Sequence, residues 1–173
     1  MENNLKTIFL TWASWVGKTT ITNELKKSLE NTKWVVFSSF DDEYKIPEAK
    51  EVMEKWWSWE SWQEYSCTKY IKDKIEENKN SILLILDMQT NLDFIEKWFE
   101  EINYKNYEIV LVTCAIGEMK KRLKKRNQPE LFNENMINWI KFLEKQAKEK
   151  WVKILDTSEI SVKESILEIQ KLI

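Results

Sequence analysis

Thr11-Trp12-Ala13-Ser14-Trp15-Val16-Gly17-Lys18-Thr19-Thr20 is the stretch whose reading decides the fold. The apolar run Ile8-Phe9-Leu10 precedes it, and Ile21, Leu25 and Leu29 follow at helical spacing, so it joins a strand to a helix. Residues 12–19 nearly meet the phosphate-loop pattern GxxxxGK[S/T]: Gly17, Lys18 and Thr19 are in place, and Trp12 stands where the first glycine belongs. Such a loop binds an anion because consecutive backbone N–H groups and the positive end of the helix converge on it, which requires that no side chain fill the space. An indole at Trp12 or Trp15 fills it.

Composition offers a reason for the mismatch. The chain has 10 Trp and only 2 Gly in 173 residues, and together they amount to roughly the 7% that glycine alone usually supplies. Some bacterial lineages read UGA as glycine and others as tryptophan, so translation with the wrong table writes Trp at glycine positions. Placement agrees with this reading. Trp34 and Trp151 each follow a helical segment and precede an apolar strand, where a glycine C-cap is expected. Trp56, Trp57 and Trp59 crowd a short polar stretch that suits a glycine-rich turn.

The length suits one domain over residues 1–173 with a sizeable core, and no linker divides it. A net charge of −2 with interspersed signs gives no basic face for nucleic acid and no polybasic membrane anchor. Cys67 and Cys114 form neither a disulfide framework nor a zinc pattern, and no apolar run reaches the length of a signal or membrane segment. A cytoplasmic protein with small-molecule partners is expected, its oligomeric state open. With no histidine present, histidine bases, triads and histidine metal sites are excluded.

Strands are expected at about 5–11, 35–37, 82–87, 107–113 and 152–155, alternating with helices. The helices run from the loop to about Asn31, from Pro47 in a first helical turn to Lys55, and to Asn78 with Tyr65, Ile71 and Ile75 on one face. Further helices span 91–102, 117–126 and 133–150, with a last one from Val162 that turns Ile166, Ile169 and Leu172 inward. The unalternated run Ile82–Leu86 is that of a strand buried on both faces. The fold class is therefore α/β, a three-layer doubly wound parallel sheet of five strands.

Around that frame the candidate site residues fall into groups. Trp12, Ala13, Ser14, Trp15, Val16, Gly17, Lys18, Thr19 and Thr20 make the nucleotide loop; Lys18 reaches the outer phosphates of ATP, and Thr19 with Asp87, at the end of the third strand, ligates Mg²⁺. Asp41 and Asp42 follow the second strand, at the edge where open α/β sheets bind ligands, and either one suits an acceptor hydroxyl or ribose. Arg122 and Arg126 are the only arginines, one helical turn apart, and suit a transferring phosphate. The stretch from Lys124 to Asn133 is a candidate lid.

These features together resemble the P-loop NTPases, in the small nucleoside- and nucleotide-kinase-like branch that holds adenylate, shikimate and adenylylsulfate kinases. Residues 57–63 (WSWESWQ), 86–95 (LDMQTNLDFI) and 126–139 (RNQPELFNENMINW) look more closely like small bacterial kinase-like proteins usually labelled AAA-family ATPases. In that group the first segment reads GSGE before Trp-Gln. The resemblance implies that Trp57 and Trp59 are glycines and that Trp62 and Trp139 are genuine. The expected activity, from the loop and the candidate residues together, is transfer of the γ-phosphoryl group of ATP to a small metabolite such as a nucleoside or nucleotide. Two alternatives stand beside it: a P-loop ATPase that switches a protein partner, and a non-binding pseudoenzyme if Trp12 and Trp15 are real.

Overall fold

The computed structural model describes residues 5–13, 15–44, 47–56 and 58–172. Ser14 and Trp57 therefore lie outside the described residues. The strands are β1 (Lys6–Trp12), β2 (Val35–Ser39), β3 (Leu83–Met88), β4 (Tyr107–Thr113) and β5 (Lys153–Asp156). Between them run α1 (Lys18–Leu29), α2 (Phe40–Glu43), α3 (Ala49–Trp56), α4 (Trp59–Glu77), α5 (Leu92–Glu101), α6 (Ile116–Lys125) and α7 (Glu134–Glu149), and α8 (Val162–Gln170) closes the chain. A 3₁₀ turn spans Pro129–Leu131.

All five strands join one parallel sheet in the order β2-β3-β1-β4-β5. In register, Val35 faces Leu83 and Ser39 faces Asp87, while Val110 faces Lys153 and Thr113 faces Asp156. β3 is buried at every residue, as a strand covered on both faces must be. The connection leaving β1 leads toward β2 and that leaving β4 leads toward β5, so the winding reverses beside β1. Its carboxyl end is thus a topological switch point, where open α/β sheets bind ligands.

Tertiary contacts fall into two clusters, residues up to Phe9 with Trp34–Glu108, and Leu10–Lys33 with Ile109 onward. In the first, α4 buries Trp62, Cys67, Tyr70, Ile71 and Ile75, and α5 buries Leu92, Ile95, Trp98 and Phe99. Phe99 stacks on Tyr107 at 4.0 Å and meets Phe9 edge-on. In the second, α1 packs against α8. Ser161 caps α8, accepting from the Glu164 N–H while Glu164 accepts from the Ser161 N–H, a full capping box.

Three expectations need correction. Pro47 precedes α3, which begins at Ala49, so it is not in the first helical turn. Tyr65 is exposed and lies off the Ile71–Ile75 face, because at about 100° per residue it sits roughly a quarter to a third of a turn around α4 from both; its ring packs on Trp56 at 4.5 Å. The polar turn before α4 is shorter than expected, since Ser58 already caps the helix by accepting from the Ser61 N–H at 3.0 Å.

Candidate phosphate-binding site

At the end of β1, Trp12 and Ala13 are buried. The Ala13 N–H donates to the Val112 carbonyl at 2.9 Å, tying the start of the loop to β4. Gly17 then takes φ 99°, ψ 22° and starts α1, a left-handed conformation that side chains other than glycine resist. The first helical bond runs from the Ile21 N–H to the Gly17 carbonyl. Amides ahead of it, those of Thr19 and Thr20 among them, point out of the helix end.

That helix end is built differently from the rest. Each of α2 through α8 carries an acidic residue in its first turn, whereas α1 carries none, opens with Lys18, and has no side-chain cap hydrogen bond. An acid complements the positive end of a helix from within the chain. A helix end with no such acid, opening on a lysine, is of the kind that suits an external anion.

Arg122, on α6, braces the loop. Its Nη1 donates to the Val16 carbonyl at 2.8 Å and to Thr157 Oγ1 at 3.2 Å, Nη2 donates to the Thr157 carbonyl at 2.6 Å, and Nε donates to Glu118 at 3.1 Å. Thr157 in turn donates to the Thr113 carbonyl at 3.0 Å. Arg126, at the end of α6, is exposed. Both arginines line a cavity of about 260 Å³ with Gly17, Thr20, Thr157, Ile160 and Val162. Lys18, Thr19 and Thr20 form the first turn of α1, with Thr19 and Thr20 exposed. The stretch expected to form a lid continues from α6 through Asn127, in a left-handed conformation at φ 56°, into the 3₁₀ turn.

The acids are described with the first cluster. Asp41 and Asp42 lie exposed on α2, directly after β2. Asp87 is fully buried, opposite Ser39 in the β2–β3 pair. Sequence reasoning missed the residues that wall this region. Ser38 Oγ donates to Glu43 at 2.5 Å and shares a hydrogen bond with the Tyr70 hydroxyl at 2.7 Å, and Lys74 Nζ pairs with Glu43 at 2.7 Å. Burial works to raise the Glu43 pKa, but hydrogen bonds from Lys74 and Ser38 outweigh it and hold the carboxyl below its ordinary value. Burial pushes the Tyr70 phenol up; Ser38 opposes this, and the charges of Glu43, Asp87 and Asp42 add to it. Cys67 is likewise pushed up by burial and then by Asp41. Glu43 directly follows the two aspartates in sequence, and that adjacency is the signal that marks it. Nothing in the pattern singles out Ser38, Tyr70 or Lys74.

For ATP and Mg²⁺ the fit divides. The left-handed Gly17, the acid-free first turn and Lys18 suit a phosphate, and the Thr19 hydroxyl and Asp87 carboxylate are hard oxygen donors of the kind Mg²⁺ takes. The indoles at Trp12 and Trp15 do not suit it.

The AAA domain family model matches residues 8–138. No curated protein matches the sequence. Among solved structures, a gluconokinase from Sinorhizobium meliloti 1021 superposes with a TM-score of 0.59 at 12% identity, over 96% of this chain and 93% of that one. A shikimate kinase from Acinetobacter baumannii, in complex with shikimate, superposes at 0.57 and 16% identity, over 98% and 93%. At such identities the likeness is one of fold. With the family model covering most of its length, from β1 to the middle of α7, the chain belongs to the AAA domain family, as a P-loop NTPase of the nucleotide-kinase-like branch.

Proposed function

We propose that the protein is an ATP-dependent phosphotransferase acting on a hydroxyl of a small metabolite, such as a nucleoside or nucleotide, in the cytoplasm. The observation that carries this reading is the start of α1, where Gly17 is left-handed, no acid occupies the first turn, and Lys18 stands in its place. Kinase-like fold neighbours support it, and the shikimate in one of them is an example of a small hydroxyl acceptor. No helix among the described residues is long and apolar enough to cross a membrane.

ATP·Mg²⁺ supplies the transferable phosphoryl group and the charge that neutralises its oxygens. In this reading the amides of the α1 first turn and the Lys18 ammonium hold phosphate oxygens, and the Thr19 hydroxyl and Asp87 carboxylate are the oxygens offered to the metal. Ile160 and Val162 give the cavity beside the loop an apolar wall, and Arg126 gives it a guanidinium, which together suit a flat heteroaromatic base. Arg122 already spends its Nε and both terminal nitrogens on protein acceptors, so the charge brought toward a transferring phosphate is assigned to Arg126. Asp41 or Asp42 takes the proton of the acceptor hydroxyl. The stretch from Lys124 to Asn133 limits water access.

Lys18→Ala is expected to abolish phosphoryl transfer in a coupled assay run over a panel of nucleosides, nucleotides and sugar-like alcohols. Retained turnover in that variant overturns the assignment. A switch that acts on a protein partner is the reading to adopt if no small acceptor accelerates ATP consumption and a protein does.

A further inference from the structure

Five described residues other than glycine have positive φ: Trp15 at 62°, Trp34 at 81°, Asn103 at 53°, Asn127 at 56° and Trp151 at 58°. Asparagine is the side chain that best tolerates this region, and a bulky aromatic is an outlier there. Two residue types thus share one conformation for which only one of them is suited.

The hydrogen bonds at three of these positions make the comparison direct. After α5, the Asn103 N–H donates to the Glu100 carbonyl and the Tyr104 N–H to Phe99; after α6, Asn127 donates to Lys124 and Gln128 to Leu123. After α7, Trp151 donates to Lys148 and Val152 to Ala147. All three are the same paired C-terminal motif, whose left-handed residue is ordinarily glycine and sometimes asparagine. Trp151 fills that place and is 93% exposed, so no burial compensates for the backbone. Trp34 does not cap α1, whose C-cap is Glu30, but before β2 it is likewise left-handed and 59% exposed.

Other tryptophans behave as tryptophans. Trp62 and Trp98 lie within helices and are buried, Trp62 against Phe40 and Trp98 against Phe94. Trp139 lies within α7 and stacks on Phe142. Trp12 belongs with neither set by φ, but its indole N–H is buried without a hydrogen-bond partner, an arrangement that native cores rarely keep.

We infer that positions 12, 15, 34 and 151 are glycine in the protein as its own cell makes it, encoded by a codon read there as glycine, while 62, 98 and 139 are tryptophan. The written sequence then contains two populations because two codons have been given one meaning. With glycine at 12 and 15, the loop satisfies GxxxxGK[S/T] in full, and the backbone before α1 is open to a triphosphate. The assignment of residues stands on backbone geometry and does not depend on the reaction proposed above; only its consequence for ATP does.

Tryptic peptide masses of the protein purified from its native source test the assignment residue by residue. The peptides spanning residues 7–18, 34–45 and 151–153 are expected at the masses for glycine at 12, 15, 34 and 151, and the peptide spanning 98–105 at the mass for tryptophan. Tryptophan at 15, 34 and 151 in native material overturns the inference. A second test uses recombinant full-length chains: Trp34→Gly and Trp151→Gly are each expected to raise Tm, with Trp98→Gly lowering it as the control. A fall in Tm for both Trp34→Gly and Trp151→Gly counts against glycine at those sites. Titration of the Trp12→Gly/Trp15→Gly chain with ATP·Mg²⁺ is expected to show at least tenfold tighter binding than the chain as written. Glycine in the native peptides without that gain leaves the codon reading standing and refutes the phosphate site.

Discussion

Arg122 Nη1 donates to the Val16 carbonyl at 2.8 Å, reaching from α6 to the residue just before the loop glycine. Because the peptide is planar and trans, fixing the carbonyl of residue 16 also fixes the N–H of Gly17, which points the opposite way. The guanidinium therefore keeps a carbonyl from turning toward a phosphate and keeps an amide aimed away from itself. Arg122 is a positioning residue by this argument. Arg122→Ala is expected to lower kcat/KM for ATP by about 10- to 100-fold, from the loss of charged hydrogen bonds worth about 1.5–3 kcal/mol. The loss should appear mainly in KM for ATP, with KM for the acceptor unchanged, and Arg122→Lys should recover only part of it because it cannot serve all of the Arg122 acceptors. Equal losses in every kinetic parameter, tracking a lower Tm, contradict a positioning role.

Asp41 and Asp42 are neighbours on one short helix, and the fold does not by itself choose between them. Their separate replacement does. If one is the base for the acceptor hydroxyl, its change to Asn is expected to cut kcat about 10²- to 10⁴-fold with KM for ATP intact, while the other costs little. Near-normal kcat in both single variants removes a carboxylate base on α2 from the mechanism.

Much of this was readable in the residues, for identifiable reasons. The unalternated run before Asp87 announced a strand buried on both faces, and β3 is buried throughout. Gly17-Lys18-Thr19 announced the turn into α1, because only glycine accepts φ 99° at no steric cost. What escaped reading depends on contacts distant in sequence. Ser38, Glu43, Tyr70 and Lys74 meet through the packing of α2 and α4, and no spacing along the chain records that Ser38 reaches a tyrosine 32 residues away. The bracing role of Arg122 was hidden likewise, since its acceptors at Val16 and Thr157 lie 106 and 35 residues off. Tyr65 misled because its spacings to Ile71 and Ile75 are too far from a whole number of helical turns to share their face, so it is exposed where they are buried.

The thiols make a third test. Burial pushes Cys114 up to about 11, with Arg122 opposing and nearby acids adding, and Cys67 is pushed up further by burial and Asp41. Thiolate is the reactive form, and both side chains are buried. In native buffer at neutral pH, neither cysteine is expected to react with a disulfide reagent over minutes, and both should react at once in denaturant. Fast native labelling of either one contradicts the burial described for it.

Glu43 sets a pH dependence whose direction can be worked out. Its folded pKa lies below its ordinary value of 4.5 because Lys74 and Ser38 favour the carboxylate over the cost of burial. A depressed acid contributes stability that is fully present above the unfolded pKa and is lost as pH falls through the folded value. Lys74, raised above 10.5 chiefly by its hydrogen bond to Glu43, contributes on the opposite side, and its share is lost as pH rises through its folded value. Between these limits the pair is intact. The Glu43 side chain is 38% exposed, so solvent screening reduces the pair to about 0.5 kcal/mol. Thermal melts of the wild type and Glu43→Gln should therefore differ by a constant small amount from pH 6 to 9, and the difference should shrink toward zero below about pH 4. A high-salt buffer should narrow the same gap at neutral pH. A difference that stays constant down to pH 3 would mean that the Glu43 charge is not what separates the two proteins, contradicting the ion pair with Lys74.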